Sequence, residues 1–445
     1  MIASCAALDQ PALTFLAACD PVVQSYRAFF ALLDWHSLPV RTTVRPRPGP
    51  LPHPPAAYVK ALLIKICEGE EYITQLRAFL VNHPLLVLEI GFRPVPAPAA
   101  PYGFDVERTV PGARWLRHWQ QHLDNGVLQS LLHQTVPALQ AEIPGLGETV
   151  AFDVKHLYAW VAANNHKAYV ANRYDPAQQP TGDPDCRLGV KTSSNQVRPD
   201  GTTKESKEYI WGYGSGVAAA TDPRYGDMVL AEYTQPFNEV DSTYYHPLYA
   251  RTVQTLGRAP TNVTADAAFD AWHIYQTCAT QGGIAAIPLN TRGHPTPQQQ
   301  PDGRPLCPTG RPMHPSYPFR HTEGYRAQLY RCPLLFPAPT TQTCAHAQFA
   351  KGPGCVKYLN IELGGRMRVT LDRTSVAYQQ IYRQRTAAER INSQAKALGI
   401  ERPKVRNRSS VRNLNTLTYL VINLRALARA RALNARPPAR VVALC

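Results

Sequence analysis

The middle of the chain alternates between apolar and polar positions in a way that predicts β-strands. The stretch ETVAFDVKHLYAWV, residues 148–161, alternates as a strand does. Val150 and Phe152 share one side of this strand, and Asp153 lies on the other. Further on, EYIWGYGSGVAAAT and DMVLAEYTQ flank DPRYG, a sequence typical of a turn, and predict a β-hairpin. Three strands are therefore expected in this part of the chain.

Helices and two further strands are predicted after the hairpin. Residues 241–257 fit a helix, and 262–266 form a short apolar strand that ends in Asp266. A second helix, FDAWHIYQTCATQ, precedes a fifth strand at 283–290. Strands and helices in this order are compatible with an α/β fold that has crossover helices.

Proline-rich stretches divide the chain, because proline ends helices and interrupts strand pairing. They cover 46–55, 93–103 and the region from His294 to Pro339, and each is expected to be a linker or an irregular loop. Helical periodicity before the second stretch predicts an N-terminal helical domain, for which DNA binding is a candidate role. The predicted divisions are this helical domain at 1–110, a core at 111–290, a Cys/Pro-rich insertion at 291–373, helices that complete the core at 374–430 and a basic tail at 431–445.

Length and composition favour a folded protein without a membrane anchor. The 445 residues leave room for two or three domains. No run of about 18 apolar residues occurs, and the first 30 residues lack a basic segment followed by an apolar one. We therefore expect a cytoplasmic protein that is not exported.

The basic charge is concentrated near the C-terminal end. The net charge is +15, and the stretch from Gly365 to Cys445 contains 17 Lys and Arg residues against three acidic ones. A concentrated cationic surface suits a polyanion, and phosphate contacts by Arg and Lys supply most non-specific affinity for nucleic acid. A nucleic-acid partner is therefore predicted, with a tail that only aids solubility as the alternative.

Four of the ten cysteines lie in the proline-rich insertion, namely Cys307, Cys332, Cys344 and Cys355. In a reducing compartment they are not expected to form disulfides. Four thiolates can hold Zn²⁺ in tetrahedral geometry, but the spacings here are wide and contain no C-x-x-C pair. Two alternatives stay open, a structural zinc ion and reduced cysteines that pack as small apolar side chains.

The sequence YRQRTAAERINSQAK combines one acid with several bases on a pattern that a helix can adopt. From Tyr382, offsets of three, seven and fourteen lead to Arg385, Glu389 and Lys396, which one helix would place on one face. A carboxylate among cations stays ionised and is a ready ligand for a divalent cation. Glu389 is therefore a candidate metal ligand beside a phosphate-binding surface.

Two strand aspartates extend this candidate site. Asp153 lies within an apolar strand and Asp266 ends another, although strands disfavour aspartate. Mg²⁺ takes oxygen ligands, commonly one or two carboxylates together with substrate phosphates. Asp153, Asp266 and Glu389 therefore form a candidate metal-binding triad. Two such ions can promote an in-line displacement at phosphorus.

The three acids resemble the catalytic triad of DDE-type insertion-sequence transposases. Asp153 stands in AFDVKH, Asp266 in TADAAFD and Glu389 in YRQRTAAERINSQAK. The last stretch is similar to the tyrosine–arginine–glutamate–lysine signature of one large branch of that family, with all four letters at the matching spacing. The resemblance covers roughly residues 110–425. It implies an RNase H-like domain, with a mixed five-stranded sheet flanked by helices and the insertion before the last catalytic helix.

The resemblance also implies a reaction and its partners. Such enzymes cut the ends of a mobile element and join the freed 3′-hydroxyl to target DNA, using two Mg²⁺ or Mn²⁺ ions. They act as a homodimer or larger oligomer on double-stranded DNA, both terminal repeats and target, so the protein would associate with the nucleoid and not with a membrane. By analogy the three carboxylates would hold the metal ions. The residues that would contact DNA are Tyr382, Arg383, Arg385, Arg390 and Lys396.

Two other functions remain open at this stage. One is a DNA-binding descendant of a transposase that has lost catalysis, and the other is a metal-dependent nuclease of the same fold. Intact triad and signature residues favour an active transposase over the first. The basic C-terminal region favours an enzyme that keeps hold of a DNA end after cutting, which the second would not need to do.

Overall fold

A computed structural model describes residues 10–38, 52–197, 203–290, 298–300 and 302–435. Within these residues the chain forms two compact units. The main unit combines the described parts of Met1–Pro260 and Thr386–Cys445, and the inserted unit is Thr261–Arg385. The core of the main unit draws on both ends of the chain, and the predicted functional divisions stay predictions. Most of the predicted tail at 431–445 lies outside the described residues.

The N-terminal part of the main unit is helical, as the periodicity predicts. Aspartate side chains mark where two of the helices begin. The Asp20 carboxylate accepts hydrogen bonds from the backbone N–H groups of Val22 and Val23, and the Asp124 carboxylate accepts one from the backbone N–H of Gly126. Apolar side chains of these helices join the same core as the strands that follow. The elements are α1 (Gln10–Cys19), α2 (Pro21–Phe30), α3 (Pro55–Cys67), α4 (Ile73–Asn82), α5 (Pro84–Glu89), β1 (Val95–Pro96), β2 (Phe104–Asp105), α6 (Val106–Thr109), α7 (Ala113–His122) and α8 (Asn125–Glu142).

An antiparallel group of four strands follows. Its members are β3 (Thr149–Tyr158), β4 (Arg187–Val197), β5 (Thr203–Asp222) and β6 (Gly226–Pro236), and the next helix is α9 (Ser242–Leu256). The long strand β5 pairs with each of the other three. Gly214 and Gly216 of β5 leave space for Tyr244 of α9, because a Cβ atom at either position would collide with that ring. The glycine-rich WGYGSG is thus part of β5, at the place where α9 packs closely against that strand.

The inserted unit begins with a parallel strand pair. The pair consists of β7 (Asn262–Thr264) and β8 (Ala285–Ala286), joined by α10 (Trp272–Thr280). All five predicted strands are therefore present, and β4 is an additional one that the pattern did not predict. The alternation of strands and helices confirms a mixed α/β architecture.

The cysteine-rich region contains regular structure, so the prediction of linker or irregular loop there was wrong. Its elements are β9 (His314–Arg320), β10 (Arg326–Arg331), α11 (Ala347–Ala350) and β11 (Val356–Asn360), followed by α12 (Leu363–Thr370) and α13 (Val376–Arg383). The three strands form an antiparallel sheet with β10 in the centre. Strand β9 tolerates Pro315 and Pro318 because it lies at the edge of the sheet. A proline has no backbone N–H, and at an edge this does not break the hydrogen bonding of a central strand.

Two helices complete the main unit, α14 (Thr386–Ala397) and α15 (Arg408–Ala435). Helix α15 is buried along most of its length against α8 and β6. The Asn423 side chain pairs with both backbone groups of Val229, accepting from its N–H at 2.8 Å and donating to its carbonyl at 2.7 Å. No helix in the described part of the chain is both long and apolar enough to span a bilayer.

Candidate active site

A hydrogen bond joins the strand that carries Asp153 to the helix that carries Glu389. Asp153 lies in the middle of β3, opposite Val217 of β5. Helix α14 packs across these strands. The Asn392 side chain in α14 donates from Nδ2 to Oδ2 of Asp153 at 2.9 Å, and the backbone N–H of Val154 donates to the other carboxylate oxygen at 2.9 Å. Two of the predicted acids are thus on elements in direct contact within the main unit.

The sequence of α14 explains this orientation. The helix buries a stripe of small and branched side chains, namely Ala387, Ala388, Ile391 and Ala395. Glu389 stays exposed in the first turn, and Asn392, three residues later and so on the same side one turn on, is buried. Sequence reasoning missed Asn392. The available signal was an amide residue in an otherwise apolar stripe, one helical turn after the predicted glutamate.

One oxygen at this contact has no hydrogen-bond partner among the described residues. The Oδ1 atom of Asn392 is buried and unpaired, although buried polar atoms are nearly always satisfied. It belongs to the amide whose nitrogen binds Asp153. Carboxylate and amide oxygens are ligands for Mg²⁺, and a Mg²⁺-bound water donates hydrogen bonds to such oxygens. The oxygens at this contact therefore fit a hydrated divalent cation.

The signature residues do not lie on one continuous helix, so the prediction of a single helical face across them was wrong. Helix α13 ends at Arg383 and α14 begins at Thr386. The backbone N–H of Arg385 bonds to the carbonyl of Tyr382, a tighter turn than the α-helical pattern, and this interrupts the helix. Tyr382 and Arg385 belong to the inserted unit, whereas Glu389 and Lys396 belong to the main unit.

Lys396 takes part in an ion-pair network in the main unit. Its ammonium group lies 3.0 Å from one carboxylate oxygen of Glu401, and Lys155 of β3 lies 2.7 Å from the other. Burial alone would raise the pKa of Glu401, but the hydrogen bonds from the two lysines outweigh it and hold that pKa below its usual value. With two cations on one carboxylate, the network keeps a net positive charge beside α14. A phosphate contact by Lys396 stays a prediction.

We expect Glu401→Gln to lower the melting temperature at neutral pH, and the difference from the wild type to vanish in acid. A carboxylate whose folded pKa is depressed stabilises the fold above its unfolded pKa of about 4.5 and loses that effect as pH falls through the folded value. Thermal melts of both proteins from neutral pH to below pH ~4 test this. Glu239→Gln, at an exposed position, is the control. A difference that does not change with pH would contradict the ion-pair explanation.

Asp266 lies two residues after the end of β7 in the inserted unit, whereas the sequence pattern predicted that it would be the last residue of that strand. Its carboxylate is half-buried and accepts a hydrogen bond from the backbone N–H of Ala268 at 2.9 Å, which begins a short 3₁₀ turn. The neighbouring Asp270 has a different role. It is bound by both nitrogens of the Arg368 fork, at 2.8 and 2.5 Å, and holds that part of the fold together. Of the acids in TADAAFD, Asp266 is therefore the better candidate for chemistry.

The other residues that were predicted to contact DNA differ in the contacts that they make within the protein. The Tyr382 ring stacks on Tyr378 at 5.7 Å, and the Arg385 guanidinium lies 5.6 Å from the centre of the same ring. Arg383 is exposed. Arg390 forms a two-point contact with the buried carboxylate of Asp227, at 2.7 and 2.6 Å, which ties α14 to β6. This pairing favours a structural role for Arg390, and its contact with DNA remains a prediction.

The four predicted cysteines come together in the inserted unit. Cys307, Cys332, Cys344 and Cys355 line one cavity of about 10 Å³, as does His346. All four are free thiols, and Cys344 is the least buried of them. Burial tends to raise the pKa of Cys307, but hydrogen bonds from Thr309 and from backbone groups outweigh it and lower that pKa. Burial and the adjacent thiols raise the pKa of Cys355 to about 12.

No preformed metal site exists among the described residues. No group of three or more His, Cys, Asp or Glu side chains in that part of the chain is arranged so that it could hold a metal ion. For carboxylates this has a physical reason, since like charges repel unless a cation lies between them. Metal binding by the triad and by the cysteines therefore stays a prediction.

The chain matches one known family. A family model described as the Transposase DDE domain matches residues 189–424, more than half of the chain. The protein therefore belongs to this family and is a DDE-type transposase at the level of the family. Asp266 and Glu389 fall within the matched residues, whereas Asp153 precedes them. No curated protein sequence matches the chain.

Proposed function

We propose that the protein is an active transposase that cleaves the ends of an insertion sequence and joins the 3′-hydroxyl to target DNA. The observation that carries this proposal is the hydrogen bond from Asn392 to Asp153, which supports a shared role for the Asp153 strand and the Glu389 helix. An aspartate within an apolar strand needs such a role, because strands disfavour it. The catalytic domain is proposed to be RNase H-like, with Asp153, Asp266 and Glu389 as its triad.

Members of this family generally use divalent metal ions, and the donors at this site fit them. Asp153, Asp266 and Glu389 would hold Mg²⁺ or Mn²⁺, with the unpaired Asn392 oxygen as an acceptor for a metal-bound water. When bound, two such ions activate the attacking oxygen and stabilise the leaving oxygen at phosphorus. Asn392 itself orients the Asp153 carboxylate by donating to Oδ2.

The basic residues would hold the DNA backbone near the cleaved end. Lys155 and Lys396 share one carboxylate, so their pair keeps a positive charge that a phosphate can neutralise. Arg383 and Arg385, in the inserted unit, would contact further phosphates, and Tyr382 would pack against the sugar–phosphate chain. Two DNA ends and a target require more than one active site, so a homodimer or larger oligomer is part of the proposal.

The test is a metal-dependent cleavage and strand-transfer assay. Labelled DNA that carries the sequences flanking this gene is incubated with the full chain and a target plasmid, with Mg²⁺, Mn²⁺ or EDTA. We expect joined products with either metal and none with EDTA. Cleavage without joining would identify a nuclease instead. Specific binding without cleavage under any metal would identify a DNA-binding descendant.

A structural zinc ion at the cysteine cavity is a further part of the proposal. The four thiols already line one small cavity, although they would have to rotate towards a common centre to coordinate. We expect purified protein to release stoichiometric zinc when its thiols are modified, and Cys332→Ser to release much less. Cys278→Ser, a buried thiol elsewhere in the inserted unit, is the control. Intact thiols without zinc would support the alternative of reduced cysteines packed as small apolar side chains.

A further inference from the structure

The main unit contains a cavity of about 400 Å³ whose lining includes none of the three triad residues. Its volume lies within the range of about 300–1,000 Å³ that small-molecule sites occupy. Its aromatic and basic lining residues are Tyr158, His166, Tyr174, Lys207, Tyr209 and Arg402, and the others are Asn164, Ser206 and Glu208. The cavity thus combines three tyrosine rings with the cations Lys207 and Arg402. Single-stranded nucleic-acid sites combine the same two kinds of side chain, because bases stack on aromatic rings and phosphates bind cations.

The aromatic rings are available for stacking. Tyr174 and Tyr209 lie 5.5 Å apart, with 31° between their planes, and 38 % and 43 % of their surfaces are exposed. The Arg402 guanidinium lies 3.9 Å from the centre of the Tyr158 ring. The planar guanidinium group of an arginine can itself stack on a base. The cavity therefore has two platforms for a planar ligand.

The wall of the cavity is held in place by hydrogen bonds between side chains and the backbone. Asn164 pairs with both backbone groups of Trp211, accepting at 3.1 Å and donating at 2.7 Å. Arg173, next to Tyr174, donates to the backbone carbonyls of Ala163 and Asn165 at 2.7 and 2.9 Å. The loop that presents Tyr174 is thus fixed before any ligand arrives, and preorganisation lowers the entropy cost of binding.

The charge of the cavity favours a phosphate-bearing ligand. Glu208 is its acid, and it accepts a hydrogen bond from the Tyr158 hydroxyl. Burial and this hydrogen bond raise the pKa of Tyr158 to about 12, so the phenol remains protonated and the contact persists at neutral pH. Lys207 and Arg402 leave the opening with a net positive charge.

The cavity also lies close to the proposed chemistry. Tyr158 is the last residue of β3, five residues after Asp153. At a rise of about 3.3 Å per residue the two are about 16 Å apart along the strand. That distance corresponds to about five nucleotide steps of 3.4 Å. About five nucleotides would therefore span the distance along β3 from Asp153 to the cavity.

We propose that this cavity binds the base of an unpaired nucleotide in the DNA strand, stacked on Tyr209 and Tyr174, with Lys207 and Arg402 on its phosphates. The proposal rests on the proposed transposase function, since it takes the ligand from the DNA at the active site. It adds a contact with the base, which the phosphate contacts of the signature residues do not provide.

The test compares two fluorescent probes by anisotropy, a short oligothymidine and an abasic oligomer with the same number of phosphates. The wild type should bind oligothymidine more tightly than the abasic probe. Tyr209→Ala should weaken oligothymidine binding about tenfold and leave abasic binding unchanged, because stacking contributes per base. Tyr209→Trp should retain the preference, and Tyr169→Ala, whose ring is 95 % exposed and outside the cavity, should change neither affinity.

Other outcomes would overturn the proposal. Equal affinity of the wild type for both probes, or no binding of either, would show that no base is recognised. An equal loss on both probes in Tyr209→Ala, not rescued by Tyr209→Trp, would show a structural role only. Efficient competition by free thymidine monophosphate would make the cavity a free-nucleotide site instead. None of these results depends on cleavage, so the transposase assay decides the proposed function separately.

Discussion

Glu389→Gln should abolish metal-dependent cleavage and strand transfer while the protein still folds and binds DNA. The side chain is exposed in the first turn of α14, so the change to a glutamine of the same shape leaves the buried face of the helix intact. Metal ions contribute several kcal/mol to the stabilisation of a phosphoryl transition state, and each ~1.4 kcal/mol is a factor of ten in rate. We expect a loss of at least about a thousandfold in single-turnover strand transfer.

The controls separate catalysis from stability. Glu239→Gln changes an exposed glutamate elsewhere in the main unit and should keep full activity. Asn392→Ala should lower the rate less than Glu389→Gln does, because it frees the Asp153 carboxylate to rotate without removing a carboxylate. Activity of Glu389→Gln at the wild-type rate, with the melting temperature unchanged, would remove Glu389 from the triad.

The largest expected effect on stability comes from Asp270→Ala in the inserted unit. The Asp270 side chain is fully buried in its ion pair with Arg368, and it also accepts hydrogen bonds from the Tyr275 hydroxyl and the Asn290 backbone N–H. Removing one partner of a buried ion pair leaves the other charge buried without compensation, which destabilises the fold by about 3 kcal/mol or more. Hydrogen exchange of the α10 and α12 amides should therefore become about a hundredfold faster.

A surface pair in the same unit provides the comparison. Asp302 contacts Arg304 at 2.5 Å, but both side chains are about half exposed. Asp302→Ala should leave the exchange rates of α10 and α12 unchanged, because water and salt already screen such a pair. Similar exchange rates in the two variants would mean that the Asp270 contacts do not secure this part of the fold.

The strands that carry the candidate acids could be predicted because their patterns are local. The alternation around Asp153 and the apolar run before Asp266 each specify a strand without reference to the rest of the chain. The hairpin of β5 and β6 was likewise visible from its turn sequence. Strand β4 was not, because the polar stretch KTSSNQV shows no core-facing alternation.

The contacts that organise the site depend on distant parts of the chain and so escape a local pattern. Asn392 donates a hydrogen bond to Asp153, which lies 239 positions earlier in the sequence. Glu401 forms ion pairs with both Lys155 and Lys396. The helix break at Arg385 also went unseen, since every residue from Tyr382 to Lys396 is compatible with a helix. Tertiary packing, not propensity, decides such cases.

The burial of α15 in the main unit has a consequence for synthesis of the protein. The helix fills the core beside α8 and β6, yet it lies 148 residues after Pro260, where the earlier segment of that unit ends. At about 5–20 residues per second, a ribosome needs roughly 7–30 s to bridge that interval. During this time the nascent N-terminal segment exposes the apolar surface that α15 will cover. We therefore expect chaperones to bind the nascent chain, and products truncated before Arg408 to be degraded rapidly.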